Sequence, residues 1–97
     1  MEREVALSKI KKFTDMVRSR LSKLDQVETC EVYHFHTVYE EKIEIHVHTK
    51  ENLSMHSLCA ISNKLSRIFS HESTRVEYAG RQLVFFTGLP SNVLAEE

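Results

Sequence analysis

Residues 42–50 read KIEIHVHTK, and their alternation is strict: Ile43, Ile45 and Val47 fall on one side, Glu44, His46 and His48 on the other. A period of two over that length marks a strand with one dry and one wet face. The preceding residues 27–39, VETCEVYHFHTVY, also alternate and are rich in β-branched and aromatic residues. With the acidic pair Glu40 and Glu41 between them, the two runs predict an antiparallel hairpin. The gap contains neither Gly nor Asn, which a two-residue type I′ turn favours, so a slightly longer loop is expected. The same stretch holds four of the six histidines, as His34-x-His36 and His46-x-His48.

Register decides what those imidazoles can do, because a slip of one residue turns a whole strand over. With Tyr39 opposite Ile43, the pairs Thr37/Ile45 and Phe35/Val47 share the apolar face. His36 then stands against His46 and His34 against His48 on the other face. This register would bury Tyr33, Phe35, Tyr39, Ile43, Ile45 and Val47 together, and it is the one expected. A turn closed by Tyr39 and Lys42 would instead set His36 against Ile45 and divide the histidines between faces.

Two helical stripes flank the hairpin. In residues 3–24, Ile10, Phe13, Val17, Leu21 and Leu24 recur at spacings of three and four. The lysines and arginines of that segment take the other faces, diluted by Glu2, Glu4 and Asp15, and read as a solvated surface. A second helix is expected over about 54–70, capped by Ser54, with Leu58, Ile61, Leu65, Ile68 and Phe69 as its stripe. RVEYA (75–79) and RQLVFF (81–86) are short strand candidates on either side of Ala79–Gly80. Residues 1–90 form one domain, and 91–97 a loose tail.

The order helix, strand, strand, helix, strand, strand gives an α+β, two-layer, ferredoxin-like sandwich with both helices on one face of an antiparallel sheet. The histidine face is then the bare one, with Val32 and Val38 beside it, a natural place for a second subunit or a metal.

Composition narrows the function classes. Of 97 residues, 41% are hydrophobic and 28% charged, which suits a globular domain. No apolar run is long enough to enter a membrane, and no signal-peptide core follows Met1, so a cytoplasmic location is expected. A net charge of −1 gives no general pull towards nucleic acid. Two glycines cannot build a phosphate-cradling loop. Cys30 and Cys59 form no CxxC pair and are expected as reduced, packed thiols.

Imidazole suits zinc, copper, nickel and iron. Histidines two apart on a strand have Cβ atoms roughly 6–7 Å apart, and cross-strand neighbours lie closer, at about 4.5–5.5 Å. The pairs His36/His46 and His34/His48 are therefore the candidate metal ligands, with Glu44 as a further carboxylate or a partner that orients a ring. An ordinary polar sheet face carrying unremarkable histidines accounts for the same pattern. His71 just past a helix end has a simple explanation in the helix dipole. His56, in the second helix's first turn, reads as surface polar.

Taken together, the hairpin, IEIHVHT with His46, the acidic turn ENLS and the helix LCAISNKLSRIF resemble the cytoplasmic C-terminal domain of cation diffusion facilitator metal transporters. The resemblance spans residues 12–79. It implies a ferredoxin-like, homodimeric, non-enzymatic module that binds a divalent transition metal, zinc foremost, and tightens its dimer on doing so. His46 falls where the family carries its hairpin histidine, and Tyr78 stands where a metal-binding histidine is often found. A membrane transporter is the partner that the resemblance implies.

Two other classes fit parts of the pattern. HVH is also the His-hydrophobic-His motif of single-strand DNA nickases, which need a tyrosine nucleophile on a following helix. The helix at 54–70 has none, and Tyr78 lies on a strand. A metal-free dimerisation module is the third reading, since RQLVFF needs a strand partner to be safe from aggregation.

Overall fold

The computed structural model describes residues 3–69, 75–90 and 93. The elements run α1 (Arg3–Ser22), β1 (Val27–His36), β2 (Glu41–Thr49), α2 (Met55–Phe69), β3 (Arg75–Ala79) and β4 (Gln82–Gly88). His71 and the tail at 91, 92 and 94–97 lie outside the described residues.

The strands form one sheet in the order β1-β2-β4-β3, every neighbouring pair antiparallel. β2 and β3 therefore run the same way, with β4 inserted between them. This is a split β-α-β unit closed by α2, the interlocked unit of ferredoxin-like sandwiches. Here the strand that fills the inner slot is β4, which follows β3 in sequence.

Each element follows from its sequence. The α1 stripe buries Ile10, Val17 and Leu21, while Phe13, Met16 and Leu24 pack at the margin. α2 opens on a Ser54 cap, whose Oγ accepts from the Ser57 amide at 3.1 Å. It buries Ile61, Leu65 and Phe69. The helices meet through Phe13 and Phe69, edge to face at 5.6 Å. Beneath them lie Val27, Cys30 and Val32 of β1, Ile43, Ile45 and Val47 of β2, and Leu83 and Phe85 of β4. Both helices thus share one face of the sheet. Between β3 and β4, Gly80 takes the first central position of a two-residue turn with φ of 61°. A side chain there would be strained, which is why the hairpin turns on glycine.

The β1–β2 register differs from both registers the sequence suggested. Val32 pairs with Ile45, His34 with Ile43, and His36 with Glu41. The turn falls on Val38 and Tyr39, where the Thr37 amide donates to the Glu40 carbonyl at 2.9 Å. Thr37 Oγ1 also accepts from the Glu40 amide at 3.0 Å. That side-chain clasp serves where no glycine is present. Glu41 joins β2 instead of the loop.

The register puts Val32 and Cys30 under the helices and turns Tyr33 and Phe35 outward, against the expectation that both aromatics would be buried and Val32 bare. Tyr39 is fully exposed at the turn. A bulge between Val27 and Thr29 lets Val27 join Cys30 and Val32 on the covered face. Three small side chains then fill the space under α1 with no phenol hydroxyl needing a buried partner. Cys59 is exposed on α2, not packed as expected of a reduced thiol; Cys30 is buried as expected.

Candidate metal-binding site

The observed register divides the four histidines. His34 and His36 share the face of Ile43 and the helices; His46 and His48 project from the bare face, opposite Glu31 and Thr29. The expected cross-strand pairs His36/His46 and His34/His48 do not exist. One ion shared by all four imidazoles does not fit this hairpin. Among the described residues, no group of three or more His, Cys, Asp or Glu side chains is arranged as a ready metal cage.

Two smaller clusters replace the single one. At the hairpin end of the covered face, both histidines of β1 converge on Glu41. His34 Nε2 meets Glu41 Oε2, and His36 Nδ1 lies 2.5 Å from Glu41 Oε1. Cross-strand placement explains the first contact: His36 is directly opposite Glu41 and His34 is its diagonal neighbour. His34 and Glu41 are half-buried, and His36 is exposed. Partial burial pushes the Glu41 carboxyl up, but the hydrogen bonds from His36 and His34 outweigh it and hold the group below its ordinary range. Two nitrogens and a carboxylate, one on each side of a hairpin, are the donor types of a two-histidine, one-carboxylate site.

The second cluster lies on the bare face. His46 Nε2 is 2.7 Å from Glu44 Oε1. The Tyr33 ring stands edge-on to His46 at 5.1 Å, and its hydroxyl donates to Glu31. That hydrogen bond, with lesser help from burial and from the charge of Glu44, raises the phenol's pKa. Glu44 thus orients His46, as the sequence suggested it could. His48 is exposed.

Glu41 is the residue that sequence reading missed. It was placed in the turn with Glu40, yet it has the parity of Ile43, Ile45 and Val47. Extending that alternation backwards would have set it beside a histidine-bearing strand on the covered face.

The other candidates fall elsewhere. Tyr78 pairs with Leu83 and so shares the covered face, the reverse of the one bearing His46 and His48. A nickase arrangement needs those three side chains together. His56 is exposed in the first turn of α2. A cavity of ≈ 210 Å³ at the far end of the sheet, lined by Asp25, Gln26, Thr49, Lys50, Glu51 and Ser57, holds neither histidine nor cysteine. Among the described residues no helix is long and apolar enough to cross a membrane.

No protein-family model matches the chain, and no curated protein matches it in sequence.

Proposed function

We propose that this chain is a divalent-metal-binding, homodimerising regulatory domain, of the kind the cytoplasmic domains of cation efflux transporters represent, and that it is not an enzyme. One observation carries the reading: His34 and His36 converge on the two oxygens of a single carboxylate, Glu41, at the turn end of a hairpin. To hold one ion, the three side chains would have to turn their lone pairs to one centre. The ion would replace the protons now shared between imidazole and carboxylate. Zinc is the favoured cation, since it takes both imidazole and carboxylate and its filled d shell imposes no geometric preference of its own. His46, with Glu44, and His48 form a separate pair on the bare face, suited to a second, weaker ion.

The test is zinc-induced thermal stabilisation of the untagged protein. At a hundredfold excess over Kd, a bound ion stabilises by about 2.7 kcal/mol, which raises Tm by on the order of 10 °C in a domain of this size. His34→Ala/His36→Ala and Glu41→Gln lose that rise; His46→Ala/His48→Ala keeps most of it. If the rise vanishes only in the last variant, the ion belongs to the bare face. If wild type shows no rise, the protein is the metal-free interaction module, a reading favoured by the way each of these imidazoles except His48 already has a carboxylate partner.

A further inference from the structure

The two edges of the sheet are built differently. β3 has five residues, and its bare-face positions Arg75 and Glu77 pair with each other at 3.7 Å. Short length and charge are the usual guards of an edge. β1 has ten residues; its bulge and Glu28 lie at its start, Glu31 is the one carboxylate of its central stretch, and among the described residues no strand lies on its outer side. Its bare-face side chains Tyr33 and Phe35 are 42% and 48% exposed.

The direction of its free backbone groups follows from the hairpin. The Thr37 amide bonds the Glu40 carbonyl, so Thr37 belongs to a hydrogen-bonded pair. Such pairs alternate along an antiparallel ladder. Phe35, Tyr33, Glu31 and Thr29 therefore direct their amides and carbonyls to β2. Those of Cys30, Val32, His34 and His36 point outward.

We propose that two copies of this chain pair antiparallel along β1, about a two-fold axis through Val32, to form one continuous sheet. This deepens the dimerising part of the function proposed above and rests on it; it needs no metal.

Self-complementarity selects the second copy as occupant and fixes the register: Glu31 and Tyr33 share the bare face of β1 and flank Val32. Antiparallel self-pairing about Val32 sets the acid of each copy against the phenol of the other. With the axis at Val32, Glu31 faces the partner's Tyr33, the acid–phenol combination already made within one chain. Cys30 faces the partner's His34, and Thr29 the partner's Phe35. An axis at Glu31 would oppose two carboxylates. An axis at Tyr33 would set Glu31 against the partner's Phe35, leaving the carboxylate an apolar neighbour. Of these three axes, only the one at Val32 keeps the carboxylates apart and sets each against a phenol.

The register makes a sharp test. Glu31 and the partner's Tyr33 form a non-hydrogen-bonded pair of the new ladder, with Cα atoms about 4.5 Å apart, within disulfide range. Two variants are prepared on a Cys59→Ser background, one with Glu31→Cys and one with Tyr33→Cys. Mild oxidation of their mixture should give several-fold more disulfide-linked dimer than either variant alone. Equal yields overturn the proposal.

Sedimentation gives an independent measurement. Wild type should sediment at twice the chain mass, and Tyr33→Glu, which opposes two carboxylates, at the chain mass. Glu31→Lys with Tyr33→Glu should restore the dimer. A wild-type dimer with no excess cross-link in the mixture removes the β1 pairing but leaves the dimerising module standing. A wild-type monomer at all concentrations removes both.

Discussion

The sheet presents two faces made by alternate residues of the same strands, and they do different work. Under the helices lie Ile43, Ile45, Val47, Val32, Leu83 and Phe85, nearly all fully buried. On the bare side, the residues between them are Glu31, Tyr33, Glu44, His46 and His48, with Val84 and Phe86, and Arg75 stacks 4.5 Å over the Phe86 ring. One face excludes water and holds the fold. The other satisfies its polar groups in pairs and remains open to a partner. The two imidazoles of β1 belong to neither extreme: they sit on the covered face at its hairpin end, His34 half-buried opposite Ile43 and His36 exposed.

That division can be broken most severely from the dry side. Leu65→Ala removes a fully buried side chain beneath α2, and about 2–5 kcal/mol of stability should go with it, read from urea denaturation.

The thiols sharpen the contrast chemically. Cys30 lies under α1, where burial pushes its thiol up to about 11, partly opposed by Arg18 and assisted by Glu31. Cys59 is exposed. The thiolate is the reactive form, and an upward shift of this size lowers its population at pH 8 by on the order of a hundredfold. Disulfide reagents should therefore titrate Cys59 rapidly and Cys30 only on unfolding. The unfolded chain ionises Cys30 at its ordinary value while the folded chain resists. Stability from this group is thus intact below pH 8.5–9 and declines as pH climbs towards 11. Cys30→Ala should flatten that alkaline slope in pH-dependent melts.

Smaller effects come from the turn and the wet face. Gly80→Val forces a side chain into a left-handed backbone and should cost about 1–2 kcal/mol, seen as a lower urea midpoint with unchanged slope. His48→Ala, exposed on the bare face, should change stability by less than about 0.5 kcal/mol. A large loss at His48 would mean that the bare face carries stability as well.

Much of this architecture was legible from periodicity. The stripes of α1 and α2 and the strict alternation of β2 lie where the burial falls, because long amphipathic patterns admit few other solutions. The Ser54 cap and the strands about Gly80 were also readable from local chemistry. The β1–β2 register was not. β1 carries apolar side chains on both parities, Cys30 and Val32 on one, Tyr33 and Phe35 on the other, so alternation alone cannot choose its inner face. The choice depends on a bulge at Glu28, which has no sequence mark, and on a threonine clasp at Thr37 in place of a glycine turn. The candidate site inherited that ambiguity: His34 and His36 moved to the other face with their strand, and Glu41 replaced His46 and His48 as their neighbour. Cys59 falls one residue after Leu58, about 100° round the helix from the stripe, and faces out; the expectation of a packed thiol there came from cysteine usage and not from the stripe.

The position of β4 has a consequence for biosynthesis. The strand lodged between β2 and β3 is made after the other three described strands. Until it emerges, the nascent hairpin and both helices are complete but the inward rim of β2 has nothing to grip, and the aliphatic layer under the helices is unsealed. Folding must therefore wait for a pairing between segments far apart along the chain, a slow kind of closure, and a chain shortened before Gln82 would emerge as an adhesive half-sheet, a natural client for chaperones.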